Sequence, residues 1–210
     1  MPKSPSSDDF RVEWKEGECL VFLAGALVAQ WNAYKSSARL FLPASEQGQL
    51  SKFLSFLFTR SQLEFNGGGT LHASAVNLGG GALVFCGKSG AGKTTLWRFA
   101  RPNERLDDEL CNIIRQRDGG FSTLAKDESQ IPIRAIFFPM RGKRFKVKKV
   151  SPPVASANAF SEIYRGLWFN MNIEKQLSFS IELAKRVPSY QLYFPKDPTI
   201  INRLREELEI

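Results

Sequence analysis

Apolar positions change period along the chain, and each change marks an element. From Phe10 to Leu42 short β-like runs (Phe10 to Trp14, Cys19 to Phe22, Leu27 to Tyr34, Ala38 to Leu42) are separated by Gly17, Gly25 and the turn Lys35 to Ser37. Short runs punctuated by turn residues predict an antiparallel meander. Pro43, which cannot donate to a ladder, closes the last strand. Leu50, Phe53, Leu54 and Leu57 then recur at helical spacing up to Arg60, with Ser45 as a cap, so a helix should lay one apolar stripe on that sheet. Gly67-Gly68-Gly69 breaks it, and Leu71 to Val76 and Ala82 to Cys86 follow as strands around the turn Gly79 to Gly81.

Downstream, Cys111 to Arg117, Asp118-Gly119-Gly120 and Phe121 to Ala125 spell a strand, a tight turn and a strand, the signature of a hairpin. Ile131 to Phe138 predicts another strand. Arg141 to Lys149 is dense in Lys and Arg, with Phe145 and Val147 alternating among them. The alternation favours a half-buried hairpin strand with its cationic face in solvent, over an anion-steering strand or a nucleic-acid contact. Pro152 and Pro153 mark a boundary, and Ala155 to Asn170 and Ile173 to Val187 have helical periodicity across an Asn-rich junction. The stripe Phe160, Ile163, Tyr164, Leu167 and Trp168 reads as core. Tyr190 to Phe194 is a late strand and Pro198 to Glu209 a charged terminal helix.

Residues 1 to 9, rich in Ser, Pro and Asp without periodicity, read as a disordered leader. Residues 10 to 210 then form one domain, with an N-terminal β/helix lobe over 10 to 64 and a core over 65 to 210. The hydrophobic share of 43% and charged share of 24% fit a globular chain. Leu20 to Ala29, the longest apolar stretch, falls short of the ~20 residues of a membrane helix and is predicted to be a buried strand pair. Met1 to Phe10 carries Asp8 and Asp9 and no apolar h-region, so it does not read as a secretory signal and the default compartment is the cytoplasm. The cysteines Cys19, Cys86 and Cys111 lack a C-x-x-C pair and should be reduced, buried thiols. The net charge of +8 asks for anionic partners, and nucleotide phosphates meet that need without nucleic acid.

Gly87-Lys88-Ser89-Gly90-Ala91-Gly92-Lys93-Thr94 matches G-x-x-x-x-G-K-[ST] at every position, after an apolar strand and before the helix-capable Thr95 to Phe99. Glycines there let backbone N–H groups turn inward around a β-phosphate, and a helix amino terminus adds partial positive charge. Lys93 would reach the β- and γ-phosphates of a nucleoside triphosphate such as ATP, and the Thr94 hydroxyl would ligate Mg²⁺. Leu106-Asp107-Asp108-Glu109-Leu110 comes only one helix and a turn later, so Asp107 and Asp108 are placed to return to the phosphate end. Two carboxylates beside a γ-phosphate divide the labour of holding metal and accepting a proton. Taken alone, an Asp-Asp pair is ordinarily a solvated turn. His72, the single histidine, begins the strand before the loop, and a catalytic role would need a partner from the Asp pair. Arg134 and Arg165 are further γ-phosphate candidates that nothing in their context selects.

The order Leu71-His72-Ala73-Ser74-Ala75-Val76, Gly79-Gly80-Gly81-Ala82-Leu83-Val84-Phe85, the loop to Thr94, then Leu106-Asp107-Asp108-Glu109 resembles the catalytic domain of the HPr serine kinase/phosphorylase family, above all its short relatives. The resemblance implies an α/β (α+β) fold with a phosphoenolpyruvate carboxykinase-like phosphate-loop core. It implies ATP and Mg²⁺, with γ-phosphoryl transfer to a hydroxyl of a peptide, protein or small molecule. Residue by residue it gives Lys93 and Thr94 the phosphate and metal roles, Asp107 and Asp108 the base and metal-side roles, and His72 that of the family's histidine. The division between the aspartates stays open, with Asp108 taken beside Thr94 as the metal-side candidate. Ile131 to Phe138 contains no glycine, so the Arg- and Gly-rich segment that engages HPr in full-length kinases has no clear equivalent. The competing expectations are a nucleotide-binding sensor or assembly module without transfer, and a basic nucleic-acid-binding protein. Neither the oligomeric state nor the direction of transfer is legible.

Overall fold

Two sheets account for the apolar runs in a computed structural model that describes residues 10–15, 17–32, 37–42, 48–125, 129–164 and 173–209. The leader, Pro43, the Ser45 cap, Arg165, Leu167, Trp168 and the Asn-rich junction lie outside the described residues. The first sheet has four antiparallel strands in sequence order, β1 (Phe10–Lys15), β2 (Glu18–Leu23), β3 (Ala26–Asn32) and β4 (Ser37–Leu40). Alternate residues of a strand face one side, so Cys19 and Val21 bury together. Val28, Ala29 and Trp31 join them, against Leu54 and Leu57 of α1 (Gln49–Phe65).

α1 runs past the expected end at Arg60 because its last turns are themselves buried. Arg60 and Glu64, one turn apart, form an ion pair at 3.1 Å with side chains 2% and 3% exposed. Leu63 lies beside them in the interior.

The second sheet has seven strands in the order β10 (Lys146–Lys149), β11 (Ser189–Phe194), β9 (Gln130–Arg141), β6 (Gly81–Cys86), β5 (Gly69–Leu78), β7 (Leu110–Arg115), β8 (Phe121–Leu124). β9 runs parallel to both β6 and β11, and the other pairings are antiparallel. The first residues of β9, Gln130 to Pro132, also pair with β8, so this part of the sheet curls back on itself. The fold is thus mixed α+β: an N-terminal antiparallel sheet, a helix, and a larger mixed sheet.

Strands buried on both faces read as continuous apolar runs, and β6 is buried at every residue. Ala82, Val84 and Cys86 point into one core with α3 (Pro152–Ser161) and α4 (Ile173–Arg186), through Ala155, Phe179 and Leu183. Leu83 and Phe85 point into the other, against α2 (Lys93–Phe99) and α5 (Ile200–Glu207), through Leu96, Ile200 and Leu204. Each fully buried phenylalanine, such as Phe85 or Phe137, contributes about 1.5–3 kcal/mol through removal from water.

Several expectations need correction. β5 starts at Gly69, inside the predicted breaker, because the strand passes so close to α4 that a Cβ there would lie 2.7 Å from the Phe179 ring. Pro152 and Pro153 mark a boundary as expected, and they themselves open α3 after Ser151, where a missing N–H costs nothing. α3 stops at Ser161, and Ile163 leaves the predicted helical stripe to form a strand-like bridge with Leu71. The basic strand β10 is half-buried through Val147 as expected, but its partner is β11 rather than β9, so no β9–β10 hairpin exists. The hairpin of β7 and β8 does form, with Gly119 at φ 84° and the Gly120 N–H donating to Asp118 Oδ1 at 2.8 Å. All three cysteines are buried and unbridged.

Candidate functional site

β6 and β9 run parallel, so their carboxyl ends face the same way, the end of an open α/β sheet where ligands gather. β6 releases the chain at Gly87, and β9 ends at Arg141. From Gly87 the glycine-rich loop turns through exposed Lys88, Ser89 and Gly90 into α2. Gly92, the residue before the helix, has φ 104°, and a Cβ on it would lie 2.6 Å from the Phe194 ring tip. Both the left-handed backbone and the close approach of β11 therefore require glycine.

Lys93 is buried, and a buried ammonium must be met by acceptors. Its Nζ donates to the carbonyls of Gly87 at 2.5 Å and Lys88 at 3.1 Å, which folds the loop around the side chain. An ammonium has three donors, so those two bonds leave one for a ligand.

α2 is only seven residues long, and Arg105 ends it. The Arg105 guanidinium donates to the carbonyls of Ala100 at 3.0 Å and Arg98 at 2.6 Å while lying 4.8 Å over the Trp97 ring. This satisfies carbonyls that a helix end leaves open. A short 3₁₀ turn at Pro102–Glu104, tied to α5 by the Glu104–Arg205 ion pair, then reverses the chain.

The acidic run is laid along β5 by its backbone. The N–H of Leu106 donates to Ala75 O at 3.0 Å, Ala75 N–H to Asp107 O at 2.6 Å and Ala73 N–H to Glu109 O at 3.1 Å. On the opposite side of β5, β6 ends at Cys86 opposite Ala73. Beyond that point its place is taken by the chain leaving α3. His72 N–H donates to Glu162 O at 2.8 Å, and Tyr164 N–H to Thr70 O at 2.9 Å.

These elements enclose a cleft of about 300 Å³. β5 contributes His72, and the loop and helix contribute Ser89, Gly90 and Gly92 to Thr95. Asp108 and Glu109 come from the acidic run and Arg141 from the end of β9. Of the predicted loop residues, Gly87, Lys88 and Ala91 are not in the cleft wall, and the first two act through the carbonyls that hold Lys93. Asp108 reaches the wall, whereas Asp107, half-buried, does not. The chain bends at Asp108 and Glu109, so these two neighbours both line the cleft and Glu109 supplies the second carboxylate instead.

The expected partner of His72 is corrected as well. Its Nδ1 lies 3.7 Å from Glu162 Oε2, while Asp108 shares the cleft wall with it. Arg134 stands by Gly81, at the start of β6 and far along the strand from the loop, with its Nη2 3.3 Å from Leu208 O.

Glu109 and Glu162 carried no role in the sequence reading, and Arg141 carried one only within the basic run weighed as an anion-steering strand. Glu109 sat unassigned inside the acidic motif, and Arg141 was the first residue of the basic run. Nothing local marked Glu162, which reaches the site only because the chain after α3 takes the strand position that β6 vacates.

Burial pushes the Cys86 and Cys111 thiols far above their ordinary range, so neither is a thiolate nucleophile at neutral pH. Among the described residues, no three or more His, Cys, Asp and Glu side chains converge as a metal site. A magnesium ion held by one or two carboxylates draws its remaining ligands from phosphates and water, a pattern that Thr94 and Asp108 in one wall fit. Among the described residues no helix is long and apolar enough to cross a membrane. Searched against models of known protein families and against curated proteins, the chain matches none.

Proposed function

We propose that this chain binds ATP with Mg²⁺ and transfers the γ-phosphoryl group to a hydroxyl, as a kinase of the HPr-kinase-like group on a phosphoenolpyruvate carboxykinase-like core. The observation that carries the proposal is that Lys93, Thr94, Asp108 and His72, from three separate stretches of sequence, line one cleft. About 300 Å³ is the small end of ligand pockets. It suits a phosphate chain and its metal, with the nucleoside over the rim.

In this reading the remaining donor of Lys93 and the Arg141 guanidinium hold phosphate oxygens, and backbone N–H groups of Gly90 and of Gly92 to Thr94 surround them. Thr94 and Asp108 hold the magnesium, which when bound withdraws charge from the transferring group. His72 and Glu109, across the cleft from the loop, face the space that an acceptor hydroxyl would enter and are the groups able to take its proton.

Calorimetric titration with Mg·ATP tests the first half. Lys93→Ala is expected to weaken binding about 100-fold, because the buried charge that meets the phosphates is gone. Equal affinity in both proteins would end the proposal. ADP release in the presence of hydroxyl compounds tests the second half, with Asp108→Asn expected to slow turnover about 10²–10⁴-fold, the usual loss for such a group. One observation favours a nucleotide-binding module without transfer: Asp107 stands outside the wall, so the acid pair is not delivered as a pair. Tight ATP binding with no ADP release under any condition would select that reading.

A further inference from the structure

Beside the loop cleft lies a second cavity, of about 470 Å³, and the two share His72 and Glu109. Their walls differ in charge. Lys93 and Arg141 balance Asp108 and Glu109 around the first. The second is walled by Glu109, Glu162, Ser161 and Tyr164, and among the described residues no lysine or arginine lines it.

Glu162 is the unusual member. Its side chain is 10% exposed; Oε1 accepts from Ser161 Oγ at a long 3.4 Å, and Oε2 lies 3.7 Å from His72 Nδ1, beyond hydrogen-bond distance. A carboxylate withdrawn from water and not fully met by the protein favours a cation in the space it faces. The wall around it is fixed. Glu162 O accepts from the His72 N–H at 2.8 Å, and the Tyr164 ring has the Arg60 guanidinium over it at 4.8 Å and Phe56 edge-on. A cavity lined by two carboxylates, adjoining at His72 and Glu109 the cleft that holds Lys93 and Arg141, sets a cation site beside an anion site.

We propose that this second cavity is the acceptor site of the phosphotransferase, and that the acceptor is a small hydroxyl-bearing amine. Its ammonium sits against Glu162 and Glu109, and its hydroxyl passes His72 into the loop cleft. The assignment rests on the kinase reading above. In the transfer, the acceptor oxygen forms a bond to the γ-phosphorus while the bond from that phosphorus to the β,γ-bridging oxygen breaks. The electron pair of the broken bond leaves on ADP, and the hydroxyl proton passes to the imidazole of His72 and then to water. Glu162 acts on this step as a positioning residue, through Nδ1 of that imidazole.

Because His72 is the single histidine, its imidazole resonances report on the cavity without assignment. The full chain, with Mg²⁺ and a non-hydrolysable ATP analogue, is titrated with primary amino alcohols of two to six carbons, with diols of equal length and with hydroxy acids. The amino alcohols are expected to shift the His72 signals saturably, at least about tenfold more tightly than either control, the advantage of one charge-assisted contact. Glu162→Gln should remove that advantage, and Glu109→Gln, at an exposed position, should weaken it severalfold. Nucleotide affinity serves as the folding control for Glu162→Gln, and the urea midpoint for Glu109→Gln, which also lines the loop cleft. With ATP itself, ³¹P spectra should show a phosphomonoester of the preferred amine.

Diols or hydroxy acids that bind as well as the amines, or two variants that leave the preference intact, overturn the proposal. Amine binding with nucleotide bound but no phosphomonoester overturns the acceptor assignment. Failure of the kinase reading appears separately, as ATP affinity indifferent to Lys93→Ala.

Discussion

The two sheets solve the same problem with different margins. The four-stranded sheet buries one face on α1, and its edge strand β4 is exposed at all four residues. The seven-stranded sheet buries both faces of β5 and β6 between two helical layers. A single-faced sheet accepts change on its outer side, whereas a doubly covered strand has no outer side to change. The loop that makes the candidate site hangs from the second kind of strand, so its carbonyls and Gly92 are set by a frame that cannot shift by a residue without turning core side chains around.

That contrast is open to direct tests. The largest effect is expected where α1 passes from one sheet to the other. Arg60→Met leaves Glu64 buried without its partner, at a cost of about 3–5 kcal/mol, while the double variant Arg60→Met with Glu64→Leu should recover most of it. Urea denaturation reads both. Burial already raises the Glu64 carboxyl above its ordinary range, against the lowering influence of Arg60. Loss of Arg60 raises it further, so protonation then favours the folded state. The penalty of the single variant should shrink as pH falls through the folded-state value and be full above it. A penalty equal at pH 5 and pH 8, or no recovery in the double variant, would contradict the account.

Next comes Gly92→Ala, where a methyl must enter the Phe194 ring at a left-handed backbone. A cost of about 1–3 kcal/mol is expected, with nucleotide affinity lost more steeply than stability. Unchanged ATP binding would show that the loop is not held by β11. The smallest effect belongs to the outer face of the four-stranded sheet. Arg39→Glu, on exposed β4, should stay within about 0.5 kcal/mol of wild type by denaturation. A large loss there would mean that the face is covered after all.

The legible parts of the fold were those in which one residue's neighbours in sequence are also its neighbours in space. The β7–β8 hairpin announced itself through Asp118-Gly119-Gly120, and Ala82 to Cys86 through an unbroken apolar run that only a doubly covered strand requires. The strand before the glycine-rich loop and the helix after it were local in the same sense. What escaped was pairing between distant segments. No local pattern says that Ser189–Phe194 inserts between β9 and β10, which is why the hairpin expected for the basic strand does not form. Nor does anything near Glu162 say that it will stand where β6 would have continued. Of the candidate site, Lys93, Thr94, Asp108 and His72 were found from motif order. Arg141 needed the parallel register of β6 and β9, and Asp107 was included because a pair of identical residues gives no hint of which side each will face.

The curl of the larger sheet bears on how copies of the chain behave toward one another. Since β8 is paired on one side with β7 and on the other with the start of β9, it offers no open row of N–H and C=O groups for a neighbouring molecule to extend. The opposite margin ends in β10, where Lys146, Lys148 and Lys149 are exposed. Like charges there oppose strand-to-strand stacking, so closure guards one border of the sheet against polymerisation and repulsion guards the other.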